Sequence, residues 1–355
     1  MGKMKKKIVS SCILLASSIL LYIIAMQVAG FATWYTSTVY TKLSVVFAWI
    51  CNWFPISVSE LLIYILLIVV VVGICRSMLN KRDSVLDKLS RVGVNLLLGI
   101  SILLFLYVIN CGINYQSKSF AQKEQFSVSK YTKDELIKVC TMLTERINGL
   151  EDSLEKDKNG NVIIREDSRE IASQEMKALG QKYHSLKGYY PLPKQVMVSE
   201  LLSYQSISGI YSPITVEANY NGDMPEYMKP FTMCHELSHL KGIMREEEAN
   251  FVAYLACMNS SVPEFQYSGA MNAYYYCMLE LRNYDAEAFV EIRKDLCETA
   301  NTDILLKHEF WSKYKGIISE VSGKVNDAYL KANSQAAGTD SYNEVVGLIL
   351  ALYRE

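Results

Sequence analysis

What this 355-residue chain lacks first is charge, in three places: no Asp, Glu, Lys or Arg occurs between Lys7 and Lys42, between Glu60 and Arg76, or between Arg91 and Lys118. Apolar runs of that length exclude a wholly water-soluble protein. A bilayer core about 30 Å thick is crossed by roughly 20 mostly apolar residues in a helix. Residues 8–29 and 92–114 satisfy this directly. The 15 uncharged residues after Glu60 satisfy it as a span over 57–76, with Ser57 to Glu60 at one interface and Arg76 snorkelling to the other. Three transmembrane helices are therefore expected. MGKMKKK and VAG offer the flanks of a signal peptide, but the apolar stretch between them exceeds an h-region of about 7–15 residues, which favours a retained anchor. Residues 43–57 are apolar but hold Pro55, Trp49 and Trp53, and suit an interfacial or re-entrant segment better than a fourth span.

An excess of either charge is also missing. With 36 Lys and Arg against 37 Asp and Glu, the net charge of −1 leaves no basic footprint for nucleic acid. Nine cysteines include no CxxC pair. Cys12, Cys51, Cys75 and Cys111 fall in the membrane part, and the odd remainder, Cys140, Cys234, Cys257, Cys277 and Cys297, reads as buried apolar thiols rather than a disulfide framework or a thiolate zinc site.

The short loops set the orientation. Lys3, Lys5, Lys6 and Lys7 precede the first span and Arg76, Lys81, Arg82, Lys88 and Arg91 lie between the second and third, whereas the first loop holds only Lys42. The positive-inside rule puts the N-terminus and the 76–91 loop in the cytoplasm, and everything after the third span outside it.

From residue 118 the chain reads as a mainly α, α+β domain extending to 355. Leu136, Val139, Cys140, Leu143, Ile147 and Leu150 line one face of a helix within residues 131–155. A second amphipathic helix runs from about 168 to 186. GIYSPITVEANYN, residues 209–221, mixes β-branched and aromatic residues between turn formers and predicts one or two short strands, with Pro213 marking an edge. An edge strand beside a hydrolytic site is able to hold an extended peptide through its main chain. Helices are expected at 263–283, at 285–298 with Asp285 as N-cap, at 303–335 with breaks, and at 342–354. The run Tyr274, Tyr275, Tyr276 is read as a partly buried helix face.

The chemistry sits in PFTMCHELSHLKGIMREEEANF, residues 230–251. His235 and His239, one turn apart on a helix, point two imidazoles at a common ion, with Glu236 beside them to take a proton from a water. A catalytic zinc needs a third protein ligand and an open position. Gly242 ends the first helix as a C′ glycine, a second helix begins near Arg245, and Glu246, Glu247 and Glu248 stand in its first turn. Asn250, one turn after Glu246, is placed to hold a ligand imidazole through its other ring nitrogen. In a chain with four histidines a chance HExxH is rare, on the order of a few per thousand. His308 and Tyr329 are oxyanion donors by chemistry alone and read as structural, and His184 as a surface or packing residue.

HELSH followed by E-x-x-A-N resembles the glutamate-zincin pattern. The resemblance implies a zincin-like metallopeptidase domain with Zn2+ held by His235, His239 and Glu246, Glu236 as general base and Asn250 behind the ligands. Seven residues from His239 to Glu246 is shorter than the usual gap, and Asn250 replaces the commoner aspartate, so Glu247 and Glu248 stay open as ligands. HELSHLKGIMR also begins a metzincin pattern, but Arg245 occupies the ligand position there. More widely the chain resembles a family of bacterial membrane proteins of unknown function with three N-terminal helices and a zincin-like domain.

The expectation is a multi-pass cell-membrane protein whose zinc metallopeptidase domain cuts extracytoplasmic or membrane-proximal polypeptides. The alternatives are a non-catalytic zinc-binding receptor or scaffold and a cell-wall peptide amidase. A topology reporter fused after Glu355 is expected to signal from outside the cytoplasm; a cytoplasmic signal would reverse the orientation.

Overall fold

A computed structural model describes residues 2–79, 84–127, 129–333, 335 and 344–354. Lys81 and Arg82 of the basic loop lie outside the described residues, as do residues 342–343, the start of the last expected helix.

Among the described residues, three helices are long and apolar enough to cross a membrane: Gly2–Gln27, Val58–Arg76 and Val85–Tyr115. The first and third pack together, with the small residues Ser11, Ser18 and Ser101 buried. Small side chains let two such helices approach closely, and each serine hydroxyl is satisfied by the carbonyl four residues earlier. The third helix changes to π winding at Val108–Gly112 before it ends at Tyr115. A second π segment, Tyr35–Tyr40, leads into the helix Thr41–Asn52. Local π turns often mark functional positions.

Residues 43–57, expected to be interfacial or re-entrant, begin as that helix. Ser44, Ala48 and Cys51 are buried, Ala48 joining the main hydrophobic core, while Trp49 and Trp53 are exposed.

The second membrane helix is attached through its polar start. Glu217 accepts from the backbone N–H groups of Val58 (3.0 Å) and Ser59 (2.9 Å), satisfying donors that a helix N-terminus leaves free. Glu60 reciprocates by accepting from Met197 N–H (2.8 Å) and Val198 N–H (3.0 Å). Lys194 Nζ lies 2.6 Å from Glu217 Oε1 and donates to the Cys51 carbonyl, also at 2.6 Å.

The rest is mainly helical around a three-stranded sheet of order β1-β3-β2. β1 (Lys194–Gln195) runs parallel to β3 (Glu217–Tyr220), and β2 (Gly209–Ser212) runs antiparallel to it as an edge, with Pro213 just past its end. β1 had no signal in the sequence. The helix Lys133–Leu150 begins at a Thr132–Glu135 capping box and buries Leu136, Val139, Cys140, Leu143 and Ile147, the face set by their 3–4 spacing. Ser168–Lys182 follows. Pro263–Tyr284 matches expectation, whereas Ala286–Lys294, capped by Asp285, ends short of the expected 298, where the next helix begins. The expected 303–335 region divides into Glu298–Ser312 and Ile317–Ala332, and the last described helix is Val345–Leu352.

At the centre lie two short helices, Lys229–His239 and Glu246–Asn259, buried almost all round. Packing continues across the expected 117/118 boundary, since Cys111 and Tyr115 cluster with Met244. All nine cysteines are unpaired, with Cys140, Cys234, Cys257 and Cys277 buried.

The Glu217 clamp yields a stability prediction. Removing one partner of a buried ion pair leaves the other uncompensated, at about 3–5 kcal/mol. Glu217→Ala is expected to lower the thermal midpoint by far more than exchange of the exposed partner in Lys294–Glu291 (Glu291→Ala), measured by melting both variants in the same detergent.

Candidate metal centre

Pro230 lies in the first turn of the motif helix, where its missing N–H is not needed. Gly242 follows the helix end at φ +74°, the left-handed conformation of a C′ glycine. A Cβ at Gly242 would also stand 2.5 Å from Thr36 Cγ2, so the turn packs tightly on the π segment before the second membrane helix. Arg245 is extended, and the second central helix starts at Glu246.

This turn brings three donor groups together. The Nε2 atoms of His235 and His239 lie 3.2 Å apart, Glu246 Oε2 lies 3.2 Å from His235 Nε2, and Glu246 Oε1 lies 4.0 Å from His239 Nε2. One ligand atom from each lies within 4.8 Å of the others. Two donors at zinc–nitrogen distance from a tetrahedral ion are about 3.3 Å apart, so the spacing fits one small ion.

Both imidazoles are held from behind. The Ile243 carbonyl lies 2.6 Å from His239 Nδ1; a carbonyl only accepts, so Nδ1 carries the proton and Nε2 presents its lone pair. Asn250 Oδ1 lies 2.8 Å from His235 Nδ1 and accepts a hydrogen bond from it, which turns Nε2 toward Glu246. Burial pushes His239 down to about 4, so it is neutral at physiological pH. Burial also pushes His235 down, but its hydrogen bond to Glu246 and the charges of Glu236 and Glu246 outweigh this and raise it to about 9. Glu236, buried beside the cluster, is pushed up to about 8 by desolvation.

Of the three acids, only Glu246 faces the histidines. Glu247 Oε2 accepts from Gln335 Nε2 (3.0 Å) and Glu248 Oε1 from Ala121 N–H (2.9 Å), so both serve the packing of other segments.

The edge strand β2 runs past Glu236. The Tyr211 backbone amide lies beside the Glu236 carboxyl and favours its charged form, and a Cβ at Gly209 would stand 2.5 Å from Glu236 Oε1, so glycine permits the approach. Tyr211 Oη lies 2.9 Å from Tyr40 Oη, which in turn donates to the His239 carbonyl at 3.3 Å. The cluster opens into a cavity of about 680 Å³ whose wall includes Tyr107, Cys111 and Tyr115 from the third membrane helix.

The chain belongs to DUF3810, a family of proteins of unknown function. The family profile matches residues 35–350, taking in the second and third membrane helices and both central helices. No curated protein and no solved structure matches the chain.

In this DUF3810 protein, His235, Glu236, His239, Glu246 and Asn250 converge on one cavity. Tyr329 lines the same cavity, whereas His308 lines a neighbouring one of about 370 Å³ and His184 is exposed. The tyrosine run divides: Tyr274 is buried, Tyr275 is exposed beneath Lys307 Nζ (3.7 Å from the ring centre), and Tyr276 lines the cavity. Tyr276, Tyr211 and the membrane-helix residues carried no local metal or catalytic signal; only the strand pattern around Tyr211 placed it near the motif.

The geometry predicts that zinc content in purified protein is lost in Glu246→Ala and kept in Glu247→Gln and Glu248→Gln. Retention in the first with loss in either other would move the third donor.

Proposed function

We propose that this protein is a membrane-anchored, zinc-dependent metallopeptidase acting on extracytoplasmic polypeptides close to the bilayer. The observation that carries the reading is the convergence of His235, His239 and Glu246 donor atoms within 4.8 Å, with a further buried carboxylate, Glu236, beside them. Two neutral imidazoles and one carboxylate, without a thiolate, form a donor set suited to catalytic zinc with one position left open. Bound there, zinc would polarise a carbonyl and bring the pKa of a water toward about 7.

The chain's own groups supply the rest. Glu236 takes the proton of the attacking water and passes it to the leaving amine. The edge strand β2, paired with β3 on one side only, leaves its other side to hold an extended peptide through main-chain hydrogen bonds. Tyr276, in the cavity wall, supplies a hydroxyl able to meet an oxyanion.

Depth in the membrane supports the substrate class. Counting about 20 residues, or about 30 Å at 1.5 Å per residue, from the last charged residue of the basic loop, Arg91, the third helix leaves the hydrocarbon near Cys111. Tyr107, Cys111 and Tyr115 line the cavity, so the site stands at the bilayer boundary, within reach of juxtamembrane segments.

Glu236→Gln is expected to retain zinc and to lower cleavage by about 10²–10⁴-fold, the usual contribution of a general base. Comparison of membrane-protein fragments in wild-type and Glu236→Gln cells measures it. An unchanged fragment pattern, with a phenotype only in His235→Ala, would make the site a recognition element and not a peptidase.

A further inference from the structure

The helix Ile317–Ala332 presents three different faces. Ser319, Ser322, Gly323, Asn326 and Tyr329 line the cavity that holds the His235–His239–Glu246 cluster. Glu320, Lys324, Asp327 and Lys331 form a charged face, with Lys331 paired to Asp327 at 2.7 Å. The third face carries Ile317, Val321 and Val325 at intervals of four residues, with Ile318 beside them. These four are 81%, 53%, 62% and 57% exposed in that order, although they are the most apolar residues of the helix.

The C-terminal half is clasped to the third membrane helix. The Tyr329 ring meets Tyr107 and Tyr115 edge-on, each at 6.2 Å, and its hydroxyl lies 3.4 Å from Cys111 Sγ. Tyr107 Oη donates to Asn333 Oδ1 at 2.5 Å, and Leu330 is buried. By the count of about 20 residues from Arg91, residues 107–115 are the stretch of that span expected at the bilayer boundary. A helix fastened there with an outward apolar stripe, a charged flank, and Lys313 and Lys315 immediately before it has the composition and the depth of an interfacial amphipathic helix.

We propose that Ile317–Ala332 lies on the lipid bilayer surface through Ile317, Ile318, Val321 and Val325 and, by its other face, roofs the cavity. The apolar stripe sinks about 5–10 Å into the boundary between headgroups and acyl chains, while Lys313, Lys315 and Lys324 remain among anionic headgroups. The bilayer then becomes part of what holds the roof in place, and access to the cavity depends on the membrane surface. The inference concerns lipid contact and stands apart from the zinc chemistry.

The full chain, carrying Cys12→Ser, Cys75→Ser and Cys297→Ser so that the remaining native thiols are buried, is labelled with an environment-sensitive fluorophore at Ile317→Cys, Val321→Cys or Glu320→Cys. It is then reconstituted in phosphatidylcholine–phosphatidylglycerol vesicles containing acyl-chain nitroxide lipid. The labels at 317 and 321 should be quenched at least about twofold more than the label at 320. Equal quenching at the three positions overturns the proposal. So does shielding at 317 and 321 that is insensitive to nitroxide lipid and grows with protein concentration, because a second copy would then cover the stripe. Val325→Cys supplies the same reading if Ile317→Cys or Val321→Cys does not fold.

Discussion

Two imidazoles and a carboxylate share a space less than 5 Å across inside the protein, and the surrounding fold exists to make that arrangement tolerable. Moving a carboxylate out of water costs several kcal/mol unless charge or hydrogen bonds compensate, and Glu236 adds a second buried carboxyl. The compensation visible in the chain is directional. Ile243 and Asn250 each accept a hydrogen bond from one ring Nδ1, leaving both Nε2 atoms facing Glu246. A divalent cation at that point, as proposed, would turn four mutually awkward groups into a favourable set.

That cluster rests on two close approaches. The turn at Gly242 presses on Thr36, and β2 at Gly209 presses on Glu236, so the site is held between the segment after the first membrane helix and the sheet edge. The sheet is itself tied to the membrane, because Glu217 of β3 caps the second membrane helix and Glu60 of that helix caps the chain at Met197 and Val198. The π turn of the third helix adds Cys111 to the cavity wall. A domain merely tethered by an anchor would need none of these contacts; here the membrane helices are part of the wall around the site.

Much of this was legible from local pattern. The buried face of Lys133–Leu150, the Asp285 cap, the Pro230 start and the Gly242 end depend on a few neighbouring residues and were readable from spacing alone. The choice among Glu246, Glu247 and Glu248 was not, because Gln335 and Ala121, the partners that turn the other two acids away, are distant in sequence. β1 is two residues long and forms only because β3 passes beside it, and the Lys194–Glu217 pair joins segments with no shared motif. Charge-free stretches revealed the three spans, but not that the end of the third lines the cavity, since apolar patterning carries no record of what a helix touches past the lipid.

The chemistry proposed for this protein turns on what occupies the point between His235, His239 and Glu246. Zinc-edge X-ray absorption on the purified full chain tests it most directly. Stoichiometric zinc is expected, with a nitrogen and oxygen shell at about 2.0–2.2 Å, the multiple-scattering signature of two imidazoles, and no sulfur. Absence of zinc from protein purified without chelator, or a thiolate shell at about 2.3 Å, would contradict it.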